Sequence, residues 1–178
     1  MKNLWSPWRS EYIHAVTTSD ATSTCFLCTA AQNQAQDDAS ALVVARRQHC
    51  FVIMNRFPYN AGHIMVVPYR HCPELSLLRD EELVALFHTV REAESVLQRA
   101  FQPHGINIGI NIGSAAGAGV PGHLHVHLVP RWNGDVNFMP VLAEVKVISE
   151  RLEETYARLH RAFAESATYL PHTSSYGA

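Results

Sequence analysis

Residues 122–132 read GHLHVHLVPRW. Side chains alternate between the two faces of a strand, so His123, His125 and His127 point one way and Leu124, Val126 and Leu128 the other. An apolar row behind three imidazoles describes a strand with its back in a core and its front in a site. The residues allow two chemical readings. One metal ion could take all three rings, but three same-face rings along a strand spread over roughly 13 Å, too long a row for a single ion unless the strand bends. Alternatively the rings divide the work, the central one as nucleophile and its neighbours orienting it and binding charge. A neutral imidazole attacks phosphorus when an acceptor holds one nitrogen as N–H and leaves the other its lone pair. The bland alternative is a solvated face that carries three histidines, which so dense an alternation disfavours.

Working outward, strand-like runs are predicted over Ala41–Ala45, Cys50–Asn55, Gly62–Pro68, Gly105–Ile112 and His123–Pro130. The glycine-rich link SAAGAGVPG at 114–122 joins the last two. Asp80 is placed as a helix N-cap with Glu81 and Glu82 in the first turn, and Leu83, Leu86, Val90, Ala93 and Leu97 mark a buried stripe ending near Phe101. Leu152, Tyr156, Leu159 and Phe163 repeat at helical spacing behind Ser149. The polar stretch AAQNQAQDD at 30–38 suits either a short helix or a loop. The pattern is an α+β domain, an antiparallel meander with two main helices laid on one face. We divide the chain into an N-terminal arm over 1–24 carrying Trp5 and Trp8, a central domain over 25–140, and a C-terminal helix and tail over 141–178.

The 178 residues carry 14 Lys+Arg against 16 Asp+Glu, a net charge of −2. That balance gives no bulk attraction to duplex nucleic acid or to an anionic membrane, so an anionic ligand must be held by local groups. No run has the length of a membrane span, and MKNLWSPWRSEYI lacks the apolar core of a signal peptide, so a cytoplasmic location is expected. Four cysteines then read as thiols or metal ligands rather than as a disulfide framework. Cys25 and Cys28 form a Cys-x-x-Cys pair, which suits one tetrahedral ion but equally a redox pair or chance.

The segment HLHVHLVPR resembles the His-φ-His-φ-His-φ-φ signature of the histidine triad (HIT) superfamily of nucleotidyl hydrolases and transferases. FVIMNRFPYNAGHIMVVPYRH at 51–71 is similar to the family's upstream nucleotide-binding strands, and NIGSAAG at 111–117 to its Asn-x-Gly-x-x-Ala-Gly segment. WSPWRSEYI and PRWNGDVNFMPV resemble the branch that cleaves dinucleoside polyphosphates, including bacterial diadenosine tetraphosphate phosphorylases and hydrolases. The resemblance implies the HIT fold and makes His125 the nucleophile on the α-phosphorus. It implies that His127 binds the phosphate oxygens, that the His123 carbonyl holds the far proton of His125, and that His63 supports the triad. It further implies that Asn55 binds the ribose, that Asn111 and the amides of the link, with Gly117 and Gly119, contact the phosphates, and that Trp132 shapes the acceptor or base site. AGVPG carries no Gln, Ser or Thr where many members place one before the first histidine, which leaves the leaving-group contact unassigned.

Zinc-bearing members of the superfamily complete a Cys pair with two histidines, which fall here on His71 and His123, so the resemblance implies a structural zinc on Cys25, Cys28, His71 and His123. Magnesium would come only with the substrate polyphosphate. The implied partners are an adenine-type nucleotide, inorganic phosphate as a second acceptor, and a second copy in a homodimer. Two other readings stay open on sequence: a hydrolase with catalytic zinc on the histidine row, and a nucleotide-binding module without turnover.

Overall fold

The computed structural model describes residues 25–135 and 150–166. The expected N-terminal arm, the residues just after PRWNGD and the C-terminal tail fall outside them. The five strands are β1 Val43–Arg46, β2 Cys50–Met54, β3 Ile64–Pro68, β4 Gly105–Ile110 and β5 Val126–Arg131, in the order β1-β2-β3-β5-β4 with every pairing antiparallel. The first three strands meander as expected. The chain then crosses through the long helix, lays β4 at the sheet edge, and returns β5 between β3 and β4. This centres the histidine strand, since β5 pairs with Ile64–Val66 on one side and Gly105–Ile110 on the other.

Helix α3, Asp80–Phe101, and helix α4, Leu152–Ser166, cover one face. Leu86, Val90, Ala93 and Leu97 of α3, with Leu159 and Phe163 of α4, pack against Val52, Ile64, Val66, Leu124, Val126 and Leu128. Each fully buried leucine or phenylalanine there contributes roughly 1.5–3 kcal/mol. A carboxylate clasp fixes α4 to α3: Glu92 accepts from Arg47 and, at 2.5 Å, from the Ser166 hydroxyl. Burial pushes the Glu92 carboxyl up, but these two donors outweigh it and hold it below the ordinary carboxylate value.

The opposite face holds a smaller core of Val43, Phe51, Ile53, Met65 and Val67. It is closed by α1, Phe26–Gln32, through Leu27 and Ala30. The ambiguous stretch at 30–38 is therefore partly helical, running on to α2, Asp38–Ala41. Arg46 ties α1 to the sheet by donating to the Ala30 and Ala31 carbonyls and to Asp38. Because β2 is buried on both faces, CFVIM is a continuous apolar run rather than an alternating one.

Most strand ends shift by one or two residues from the sequence reading, as at β1, which runs Val43–Arg46 in place of Ala41–Ala45, and two boundaries differ in a way that bears on the site or its helix. Asp80, expected as the N-cap, is the first helical residue and Arg79 the cap; the Glu82 carboxylate reaches back to accept the Arg79 N–H at 2.9 Å. The ladder of β5 starts only at Val126. Before it, the His123 N–H donates to the Val120 carbonyl and the Leu124 N–H to Cys72, so the first two triad histidines sit on an extended lead-in beside residues 71–72.

Candidate active site and metal centre

The alternation predicted from GHLHVH holds in the packing. Leu124, Val126 and Leu128 lie in the helix-covered core, while His127 stands across from Met65 on the α1 side of the sheet. Beyond that the three histidines do not act as one row. The ring of His123 turns toward the cysteines, whereas the rings of His125 and His127 meet edge to face with centroids 4.8 Å apart.

Hydrogen bonding fixes opposite tautomers on these two neighbours. His125 Nδ1 lies 2.8 Å from the His123 carbonyl, so Nδ1 carries the proton and Nε2 keeps its lone pair. His127 Nδ1 lies 2.9 Å from His63 Nε2, and His63 Nδ1 accepts the Tyr59 backbone N–H at 3.1 Å. His63 must then donate from Nε2, His127 must accept at Nδ1, and the proton of His127 sits on Nε2. One ring offers a free electron pair and the next an N–H.

Burial makes both rings neutral at pH 7. It lowers His125 below an ordinary imidazole, partly countered by the His123 carbonyl, and lowers His127, with the nearby His125 adding to the shift, to about 4. We expect the ring nitrogen resonances of His127 to stay those of a neutral imidazole at pH 5.5 and to titrate only near pH 4. A midpoint at 6.5 would show a ring open to water. Because the folded state disfavours the charged ring, acidification from 6.5 toward 4 also costs stability. Glu82 and Asp135, both held near 2 chiefly by the Arg70 and Arg131 guanidiniums, add to that loss as pH falls below the ordinary carboxylate range.

His63 is buried at the entry to β3, behind Gly62. Gly62 has φ +74°, and a Cβ there would come within 3.2 Å of Pro130 and 3.4 Å of Phe101. Only glycine fits that turn, which explains the Gly-His pair. Asn55 follows directly on β2, with its side-chain oxygen accepting the Phe57 N–H at 2.9 Å and its amide directed at Met65, the partner of His127. Asn111 donates weakly to the Gly117 carbonyl at 3.4 Å. Gly113 and Gly117 take positive φ around a short turn in which the Gly117 amide donates to Ser114 at 2.9 Å, so that amide is spent inside the loop rather than left for a ligand. Gly119 follows in the bend that leads to His123.

Trp132 is half-buried, and its backbone N–H donates to the Asp135 carboxylate at 3.1 Å. Sequence reasoning passed over Asp135 and Asn60. Asp135 also accepts from Arg131 at 2.6 Å and from Asn60 at 2.8 Å, and Asn60 donates to the Pro130 carbonyl. These bonds tie the PRWNGD turn to the loop before His63. Tyr59 was also missed; its ring stacks on His63 at 4.8 Å. The quoted words contain all three residues, but a polar residue in a turn gives no sign of its partner.

The second constellation assembles as expected. One donor atom from each of Cys25, Cys28, His71 and His123 lies within 4.8 Å of the others. Both sulfurs are 3.5 Å from His123 Nδ1, and Cys28 Sγ is 3.2 Å from His71 Nδ1. Tetrahedral zinc with Zn–S near 2.3 Å and Zn–N near 2.05 Å would separate such atoms by about 3.6 Å, so the donor set fits that ion. His123 Nε2 lies 2.9 Å from the Pro68 carbonyl, which fixes the proton there and leaves Nδ1 as the ligand atom. His125 and His127 belong to no such grouping among the described residues, so the four candidate metal donors are distinct from the His125–His127 pair.

A pair of neutral histidines with opposite tautomers at the start of β5, set in an antiparallel α+β sheet beside a Cys2His2 set, makes up the candidate site. The HIT domain pattern matches residues 36–134, and the chain belongs to the HIT domain family. It is 40% identical over 157 residues to a Mycobacterium tuberculosis protein named AP-4-A phosphorylase, covering 87% of this chain and 80% of that one. It is 42% identical over 82 residues to the Schizosaccharomyces pombe bis(5'-nucleosyl)-tetraphosphatase (asymmetrical), covering 46% of this chain and 44% of that one. A crystal structure of a Zn-bound histidine triad family protein from Mycobacterium smegmatis superposes with a TM-score of 0.64 at 24% identity, covering 82% of this chain and 97% of that one, which establishes the shared fold.

Proposed function

We propose that this protein is an enzyme that cleaves dinucleoside polyphosphates, of which diadenosine tetraphosphate is the type, at the α-phosphate through a covalent nucleotidyl group on His125. The observation that carries the reading is the pair of opposite tautomers. Nε2 of His125 is a lone pair and Nε2–H of His127 a donor, on rings 4.8 Å apart. Similarity along most of the chain to a phosphorylase of this substrate supports it.

In the first step the Nε2 lone pair forms a bond to the α-phosphorus, and the bond from phosphorus to the bridging oxygen breaks, the oxygen leaving with its electron pair as ATP. The ring becomes an imidazolium whose Nδ1–H stays on the His123 carbonyl, while His127 donates to a non-bridging oxygen. In the second step an oxygen of phosphate or water attacks the same phosphorus and the N–P bond returns its pair to His125. Phosphate yields ADP and water yields AMP. Asn55 is assigned to the ribose, Asn111 and the glycine link at Gly119 to the phosphate chain, with Gly117 shaping the turn rather than donating its amide, and Trp132 to the acceptor or base side. Magnesium would be carried by the polyphosphate.

Cys25, Cys28, His71 and His123 would hold a structural zinc, which supplies a closed cross-link and no open coordination position. Thiol ligands of this kind fit a reducing, cytoplasmic compartment. Among the described residues no helix is long and apolar enough to cross a membrane. We further propose a homodimer through β4, which has no outer partner strand among the described residues and whose exposed Ile108 lines one open hollow with the exposed Phe87 of α3. Ile108→Lys should then halve the mass measured by light scattering; a wild-type monomer would refute the dimer.

The deciding assay is product analysis of diadenosine tetraphosphate with and without millimolar phosphate. We favour phosphorolysis, which predicts ATP and ADP when phosphate is present. AMP without ADP at saturating phosphate would make the enzyme a hydrolase and leave the nucleotidyl-histidine step intact. Failure to cleave under either condition would refute the substrate class.

A further inference from the structure

His123 belongs to both constellations at once, and the manner of the join is informative. Its fully buried ring faces Cys25 and Cys28 through Nδ1 and the Pro68 carbonyl through Nε2. Its carbonyl oxygen, in the peptide plane shared with the Leu124 N–H, is the acceptor that sets the His125 tautomer. That Leu124 N–H donates to the Cys72 carbonyl at 2.7 Å. Residues 71–72 therefore grip one peptide plane twice. Cys72 holds its N–H, and His71 reaches the ring of His123, with centroids 5.1 Å apart, across the Cys25 and Cys28 sulfurs. The chain also passes close beside His71, because a Cβ on Gly122 would lie 3.3 Å from its Nε2.

We propose that Cys25, Cys28 and His71 are positioning residues for the nucleophile. Through the ring of His123 they hold the 123–124 peptide plane so that its carbonyl keeps the proton on Nδ1 of His125 and the lone pair on Nε2. The inference rests on His125 being the nucleophile. Without the ion the four donors lose their common anchor, and only the Pro68 and Cys72 bonds hold the plane. Rotation of the plane takes the acceptor away from Nδ1, and the ring then populates the opposite tautomer, in which Nε2 carries the proton and cannot attack. Groups that orient a reactive ligand from behind typically matter by 10–100-fold.

The test reads tautomers directly. Protein labelled with nitrogen-15 in histidine is compared as zinc-loaded wild type, chelator-stripped wild type, Cys28→Ser, and Cys28→His as a rescue that restores a zinc donor. His125 is assigned by His125→Gln. Phe163→Leu, in the helix-covered core on the face of the sheet opposite the Cys25–Cys28 pair, controls for simple loss of stability. The zinc-loaded protein should show the Nδ1–H tautomer alone, and the stripped protein and Cys28→Ser a mixture. For these two, kcat should fall about tenfold with KM within about twofold, and Cys28→His should recover both signals. Phe163→Leu should melt earlier yet keep the pure tautomer and kcat. An unchanged Nδ1–H tautomer in stripped wild type would overturn the proposal, and so would an equal tautomer change in Phe163→Leu. Should Cys28→Ser not fold, the stripped wild type decides. Should the wild type cleave no dinucleoside polyphosphate, the tautomer result still stands alone, so the two readings fail separately.

Discussion

His125→Ala should abolish turnover of diadenosine tetraphosphate while leaving nucleotide affinity within a fewfold of wild type. The ring removed is buried and makes its hydrogen bond through Nδ1 to the His123 carbonyl, so its loss takes away the lone pair and a ring contact with His127 while leaving Asn55 and the His63–His127 hydrogen bond their own partners. Removing a covalent nucleophile from a unit of cooperating groups costs several orders of magnitude in rate, on the order of 10⁴–10⁶. A variant retaining more than about a tenth of the wild-type rate would remove His125 from the role. Wild-type protein quenched during turnover of labelled substrate should carry acid-labile label that the variant lacks. His127→Ala should cost less, because it deletes a donor to the phosphoryl oxygens rather than the reacting atom.

The second large effect concerns stability. Cys25→Ser combined with Cys28→Ser should lose one zinc per chain and lower Tm, because the four donors join α1, the segment after β3 and the lead-in to β5. Structural zinc contributes about 10–16 kcal/mol in peptides that have no other core. This domain has cores on both sheet faces, so only part of that figure applies. Even about 3 kcal/mol would lower Tm by roughly 6–12 °C for a chain of this size. Elemental analysis of wild-type protein purified without chelator should find one zinc. A metal-free protein with the same Tm as the double variant would disprove the site.

Much of this molecule was legible in sequence because its decisive signals are local. Period-two alternation in HLHVHL put the leucines and valine in the core, and helical spacing of Leu86, Val90, Ala93 and Leu97 marked the buried face of α3. The Cys-x-x-Cys pair is likewise a short-range pattern, its spacing suited to the bite of one ion. What stayed hidden depended on which segments become neighbours. The strand order β3-β5-β4, in place of a plain meander, follows from a long crossover and appears in no window of residues. The cap of α3 passed from Asp80 to Arg79 because Glu82, held by Arg70 and Arg79, reaches back to the chain. The turn at PRWNGD is held by Asn60, 75 positions before Asp135, and nothing in either residue announces the other. The tertiary structure alone decided the division among the three histidines. Alternation makes them equivalent, but the Pro68 carbonyl accepts from Nε2 of His123, the His123 carbonyl accepts from Nδ1 of His125, and His63 donates to Nδ1 of His127. Sequence supplies the imidazoles, and the partner each one meets in the fold decides whether its other nitrogen faces the cysteines, keeps a lone pair or carries a proton.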